Sequence, residues 1–145
     1  MQNDQIQTIK PGAIFIGDAH AGASRPQFLK FLRALCSTQS LPPQIFMMGD
    51  MFDFLASECE FFVKFYERYV RAIDELGEEI EIYYFEGNHD FNLAPLFKNV
   101  KAYPIGAQPV KFASEYGQSV LIAHGDIFLP FVSKYALRFL RVKWF

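Results

Sequence analysis

The 145-residue chain is short of several things that would place it in a special class. It has two cysteines, Cys36 and Cys59, with no CxxC pair and no even framework of spacings. That excludes a disulfide-stapled scaffold and a thiolate metal site, and both thiols read as reduced and buried in a cytoplasmic protein. No apolar run approaches the eighteen or so residues of a membrane span. The opening Met1-Gln-Asn-Asp-Gln-Ile-Gln-Thr lacks the basic and apolar regions of a secretory signal. Basic excess is also missing. With 14 Lys and Arg against 16 Asp and Glu, the formal net charge is −2, which argues against a generally basic nucleic-acid binder. Low-complexity segments and internal repeats are absent.

What remains is a globular composition, 51% hydrophobic and 21% charged, long enough to bury roughly 70% of its unfolded surface. The aromatic share is high and dominated by 17 Phe. Charge is uneven along the chain, since residues 131–145 carry Lys134, Arg138, Arg141 and Lys143 and no acid.

Four apolar runs punctuate the sequence, and each leads into polar, glycine-bearing residues. Ala13–Ile16 precedes Gly17-Asp-Ala-His20, and Ile45–Met48 precedes Gly49-Asp-Met-Phe-Asp53. Ile80–Phe85 precedes Gly87-Asn-His-Asp90, and Val120–Ala123 precedes His124-Gly-Asp126. Such runs predict strands buried on both faces of a helix-covered sheet. Ser24 opens a Ser-x-x-Gln capping box before a helical face of Phe28, Leu29, Phe31, Leu32 and Leu35. Ser57 predicts the cap of one longer helix carrying Phe61, Phe65, Tyr69 and Ile73, stopped by Gly77. Strand and helix alternate, which means an α/β fold with right-handed crossovers. Residues 110–113 and 119–123, around the loop 114–118, predict a hairpin. The expected fold is therefore α/β, a mixed β-sheet flanked by helices, parallel at first with an antiparallel addition.

The polar signatures share one position, just after the carboxyl end of a strand, where open α/β sheets bind ligands. Asp18, Asp50, Asn88 and His124 are each separated by about one strand–helix–strand unit. All three histidines of the chain fall in these loops. Asp18, His20, Asp50, Asn88 and His124 offer carboxylate, imidazole and amide oxygen without thiolate. That mixture suits Mn²⁺, Fe²⁺ or Zn²⁺.

In these residues the chain resembles the calcineurin-like metallophosphoesterases. Asp18-x-His20, Gly49-Asp-x-x-Asp53, Gly87-Asn-His89-Asp90 and His124 match four of that family's five signature blocks in order. The resemblance implies an αββα sandwich and two divalent metal ions, Mn²⁺ foremost. Asp18 and His20 would hold one, Asn88 and His124 the other, and Asp50 would bridge them. His89 would act on the phosphoryl charge or the leaving oxygen, while Asp53, Asp90 and Asp126 would orient imidazoles. The Phe52-Asp53 and His124-Gly-Asp126 forms look most like the bacterial UDP-2,3-diacylglucosamine diphosphatases of lipid A synthesis. That likeness implies a nucleotide-sugar lipid substrate, cleaved to UMP and 2,3-diacylglucosamine 1-phosphate. Other nucleotide diphosphatase or phosphodiesterase chemistry, or a catalytically weak metal- or phosphate-binding remnant, are the alternatives.

Two departures accompany the match. The family's Gly-His-x-His block is absent, and His89 stands where many lipid A diphosphatases carry Arg. The chain is expected to divide into an incomplete metallophosphoesterase core, 1–126, and an amphipathic, basic and aromatic helical segment, 127–145, apparently truncated. In that segment Lys134, Arg138 and Arg141 form one stripe among Tyr135, Phe139, Val142 and Trp144. Such a face suits an anionic membrane surface, here the inner face of the inner membrane.

Overall fold

A computed structural model describes residues 5–125. Its centre is a four-stranded parallel sheet, built from β1 (Ile14–Ile16), β2 (Gln44–Met47), β4 (Glu81–Phe85) and β6 (Val100–Tyr103) in that spatial order. The short strands β3 (Leu55–Ala56) and β5 (Asp90–Phe91) pair separately, also in parallel. The antiparallel hairpin β7 (Val110–Ala113) and β8 (Ser119–Ile122) forms a third sheet. The α/β class holds, and the parallel and antiparallel strands lie in different sheets.

Alternation along the central strands explains the layering. Ile45 and Met47 of β2, with Ile82 and Tyr84 of β4, face helices α1 (Gln27–Ser37) and α3 (Glu67–Glu79). Phe46, Tyr83 and Phe85 face the other way and pack on Phe112 and Ile122 of the hairpin. The rings of Phe46 and Tyr83 meet Phe112 edge-on at 5.3 and 5.2 Å. Three Phe residues, Phe46, Phe85 and Phe112, build this sheet-on-sheet seam. Helices, parallel sheet and hairpin are the part of the expected αββα sandwich that these residues build. Segment 127–145 lies outside the described residues.

Local expectations needed correction. The helix after β1 starts at Gln27 rather than near Ser24. Ser24 sits in a turn closed by Arg25 N–H on the Gly22 carbonyl (3.1 Å), and Pro26 keeps its predecessor out of helical geometry. The apolar face of α1 is as read, with Phe28, Leu29 and Leu32 buried. The single helix capped by Ser57 is two, α2 (Glu60–Phe65) and α3, broken at Tyr66. Tyr66 leaves helical geometry so that its buried hydroxyl donates to the Ala21 carbonyl at 2.7 Å. The break puts Phe61 and Phe65 outside, while Tyr69 and Ile73 stay in the core. Gly77 lies within α3 and does not stop it; a glycine stands there because a Cβ would run into Asn99. Val120–Ala123 is not doubly covered, since Leu121 of β8 is 66% exposed. Strand β6, half exposed and interrupted by Lys101, is an edge that the apolar-run reading passed over. The cysteines are free, but Cys36 is exposed and Cys59 half-buried, since Cys36 falls off the buried stripe of α1.

Candidate metal centre

Because β1, β2 and β4 are parallel neighbours, their carboxyl ends deliver three loops side by side. Backbone hydrogen bonds then stitch the first two loops together. Asp18 N–H donates to the Gly49 carbonyl (3.2 Å), and His20 N–H to that of Asp50 (3.0 Å). The left-handed backbone that such tight turns require falls on the functional residues themselves, with φ of 50°, 42° and 52° at Asp18, His20 and Asp50. Non-glycine residues rarely adopt it, and such strain concentrates at functional sites. Gly49 joins them at φ 85°, where a Cβ would come within 2.6 Å of the His124 ring.

Potential ligand atoms of Asp18, His20 and Asp50 lie within 4.8 Å of one another. Asp18 Oδ1 is 3.8 Å from His20 Nε2, and its side chain is 72% exposed. Asp50 is the buried member. Its Oδ1 accepts the His89 N–H at 3.0 Å, and its Oδ2 lies 3.5 Å from His124 Nε2. His124 arrives from the hairpin sheet. Asn88 lies half-buried between Gly87 and His89, in the loop that both neighbours tie down: Gly87 N–H donates to the Asp90 carboxylate, His89 N–H to Asp50.

Two imidazoles are held by backbone carbonyls. His124 Nδ1 is 2.7 Å from the Met48 carbonyl and His89 Nδ1 is 2.7 Å from that of Asp53. A carbonyl only accepts, so both Nδ1 atoms carry hydrogen, and each neutral ring keeps its lone pair on Nε2. The Asp53 carboxylate lies 3.9 Å from His20 Nδ1 and 3.4 Å from the Arg25 guanidinium. His20 and His89 meet edge to face, 5.0 Å between centroids.

Asp90 does not orient an imidazole. Its fully buried carboxylate accepts the backbone N–H groups of Asp50 (2.9 Å), Met51 (2.8 Å) and Gly87 (3.0 Å), together with the Tyr84 hydroxyl. It therefore shapes the turn that carries Asp50. Burial pushes its pKa up to about 6 against the pull of these donors, and burial likewise raises that of Tyr84, which stays a donor. Asp126 lies outside the described residues. Tyr84, Arg25 and the Met48 carbonyl escaped the sequence reading. Only Arg25, five residues past His20, carried a signal there.

The calcineurin-like phosphoesterase family profile matches residues 13–143. The chain belongs to that family. It is 29% identical over 115 residues to the UDP-2,3-diacylglucosamine hydrolase of Shewanella pealeana, covering 78% of this chain and 47% of that one. It is 28% identical over 115 residues to the protein of that name from Histophilus somni, covering 77% and 48%. The chain thus spans about half the length of the relatives it matches. Membership of this phosphoesterase family implies divalent-metal use. The donor set fits a cation on its own terms. At Asp50 and His124 an anionic oxygen faces an imidazole lone pair, and such a pair is stable only with a proton or a cation between. Oxygen and imidazole donors without thiolate suit Mn²⁺, Fe²⁺ or Zn²⁺.

Proposed function

We propose that the chain carries a two-metal phosphoesterase site that hydrolyses a phosphoric anhydride, with UDP-2,3-diacylglucosamine as substrate and UMP and 2,3-diacylglucosamine 1-phosphate as products. The observation that carries the reading is the convergence of Asp18, His20, Asp50 and His124 at one sheet edge, with Nε2 of His124 aimed at Asp50. The relatives' shared name supports the substrate.

Asp18 and His20 would hold one ion, Asn88 and His124 the other, and Asp50 would serve both. When bound, a pair of divalent ions lowers the pKa of a nucleophilic water and offsets phosphoryl charge, Mn²⁺ being the ion we favour. The Met48 carbonyl keeps His124 in its ligating tautomer, and Asp90 holds the Asp50 turn. His89 is fixed through Nδ1, which leaves the Nε2 lone pair for proton transfer: a proton taken up there from water would pass to the bridging oxygen as the phosphorus–oxygen bond breaks. The attacking water's oxygen ends on one phosphate, and the leaving phosphate takes the proton. Arg25 and Asp53 border the site on the His20 side.

The basic and aromatic residues of 127–145 support contact with an anionic membrane surface on its cytoplasmic face, where such a lipid substrate would be met. No helix among the described residues is long and apolar enough to cross a membrane. The test is a substrate panel with Mn²⁺, containing UDP-2,3-diacylglucosamine, other nucleoside diphosphate esters and a phosphodiester. Release of UMP from the first, ahead of the others, is expected. Preference for another member would reassign the substrate, and Mn²⁺ binding without turnover would make the chain a binding remnant.

A further inference from the structure

The ligand loops come from two different sheets, and something must hold His124, on the hairpin, in register with Asp50, on the parallel sheet. We propose that Gln108 is the positioning residue that does this. Its half-buried side-chain amide forms a three-way bracket. Nε2 donates to the carbonyls of Glu86 and Tyr103, both at 3.0 Å, and Oε1 accepts the backbone N–H of His124 at 2.7 Å. Glu86 directly follows β4 and Tyr103 ends β6, so one planar group joins two strand ends of one sheet to the loop leaving the other. The amide's orientation is unambiguous, because two partners only accept and the third only donates.

The bracket acts on the site through a short path. With its main chain held by Gln108 and its ring by the Met48 carbonyl, His124 has Nε2 3.5 Å from Asp50 Oδ2. A side chain serving packing alone would tolerate an isosteric replacement. A bracket would not, since Glu at this place sets a second anionic oxygen against two carbonyls.

The inference rests on the metal-site reading for its functional consequence but not for its first readout. In the metal-free full chain, amide exchange at His124 and the imidazole nitrogen shifts are measured by NMR for the parent, Gln108→Met and Gln108→Glu. Mn²⁺ titration of each follows. We expect faster His124 exchange and loss of the single Nδ1–H tautomer in both variants, with Mn²⁺ affinity about 10–100-fold weaker, as for other residues that orient ligands. Gln108→Glu keeps the volume, so it reports even if Gln108→Met folds poorly. Unchanged His124 exchange and tautomer in both variants would overturn the proposal. Slow His124 exchange and the single tautomer in the parent, lost in the variants, without Mn²⁺ binding in any of the three, would leave the bracket standing and overturn the metal-site reading instead.

Discussion

At the amino ends of the parallel strands, polar side chains close on one another; at the carboxyl ends Asp50 and His124 face each other without closing. Gln44, fully buried at the start of β2, donates to the Thr8 carbonyl (2.8 Å) and to Glu81 (2.6 Å) and accepts from Lys10 N–H (2.8 Å). Lys10 Nζ meets Glu81 at 2.8 Å, and Tyr83 bonds both Gln7 and Glu81. Donors there find acceptors, and the network needs nothing further. At the other end Asp50 faces His124, acceptor toward acceptor, and Asp18 lies beside His20, on a backbone turned left-handed at three of those four residues. Both ends are polar and built on the same strands. The difference teaches that polarity at a sheet edge does not mark a site, whereas like-natured partners held together do.

Removing Asp90 should have the largest effect, because its buried carboxylate gathers four donors at the carboxyl end. Asp90→Ala strands the buried N–H groups of Asp50 and Met51 and the Tyr84 hydroxyl, at on the order of 1–3 kcal/mol each, while Gly87 N–H keeps the Asp90 carbonyl. Denaturant unfolding should show a loss of several kcal/mol, and a loss under about 1 kcal/mol would mean that water replaces the carboxylate freely. His89→Ala comes next. With metal content unchanged, kcat should fall about 10²–10³-fold, the cost of one donor to developing charge. Loss of metal in that variant would make His89 a ligand.

How much of this contrast was legible in the sequence depends on whether the signal was local. The three parallel strands and their ligand loops could be read because apolar run, glycine and donor are contiguous, as in Ile45–Asp53. The break at Tyr66 could not, since Phe61, Phe65, Tyr69 and Ile73 keep their spacing straight across it, and the cause is a hydroxyl reaching Ala21, 45 residues earlier. Asp90 was noticed but misassigned, because its partners are backbone groups that no side-chain pattern reveals. Gln108 gave no signal at all, since its three partners come from three separate stretches of the chain.

Two smaller effects test the amino end. Gln44→Leu should cost about 1–3 kcal/mol in unfolding free energy and leave Mn²⁺ affinity unaltered. A change in affinity would show that the two ends communicate. Glu81 is held below the usual carboxylate range, first by the Lys10 hydrogen bond. Its stabilisation is therefore present above the ordinary Glu pKa and lost as pH falls through the lowered one. Being partly exposed, it should account for under about 1 kcal/mol. Glu81→Gln should flatten the acid limb of the stability curve by that amount, and an unchanged limb would show the pair to be silent.

The most direct test of the carboxyl-end reading is a Mn²⁺ titration of the full chain beside Asp50→Asn, followed by calorimetry and by thermal unfolding with and without the ion. The account predicts saturable binding and metal-dependent stabilisation in the parent. In Asp50→Asn both should vanish while the metal-free protein is as stable or more so, because an amide facing His124 Nε2 replaces two opposed acceptors. Equal Mn²⁺ binding by the two proteins, or a variant that loses stability without metal, would contradict it.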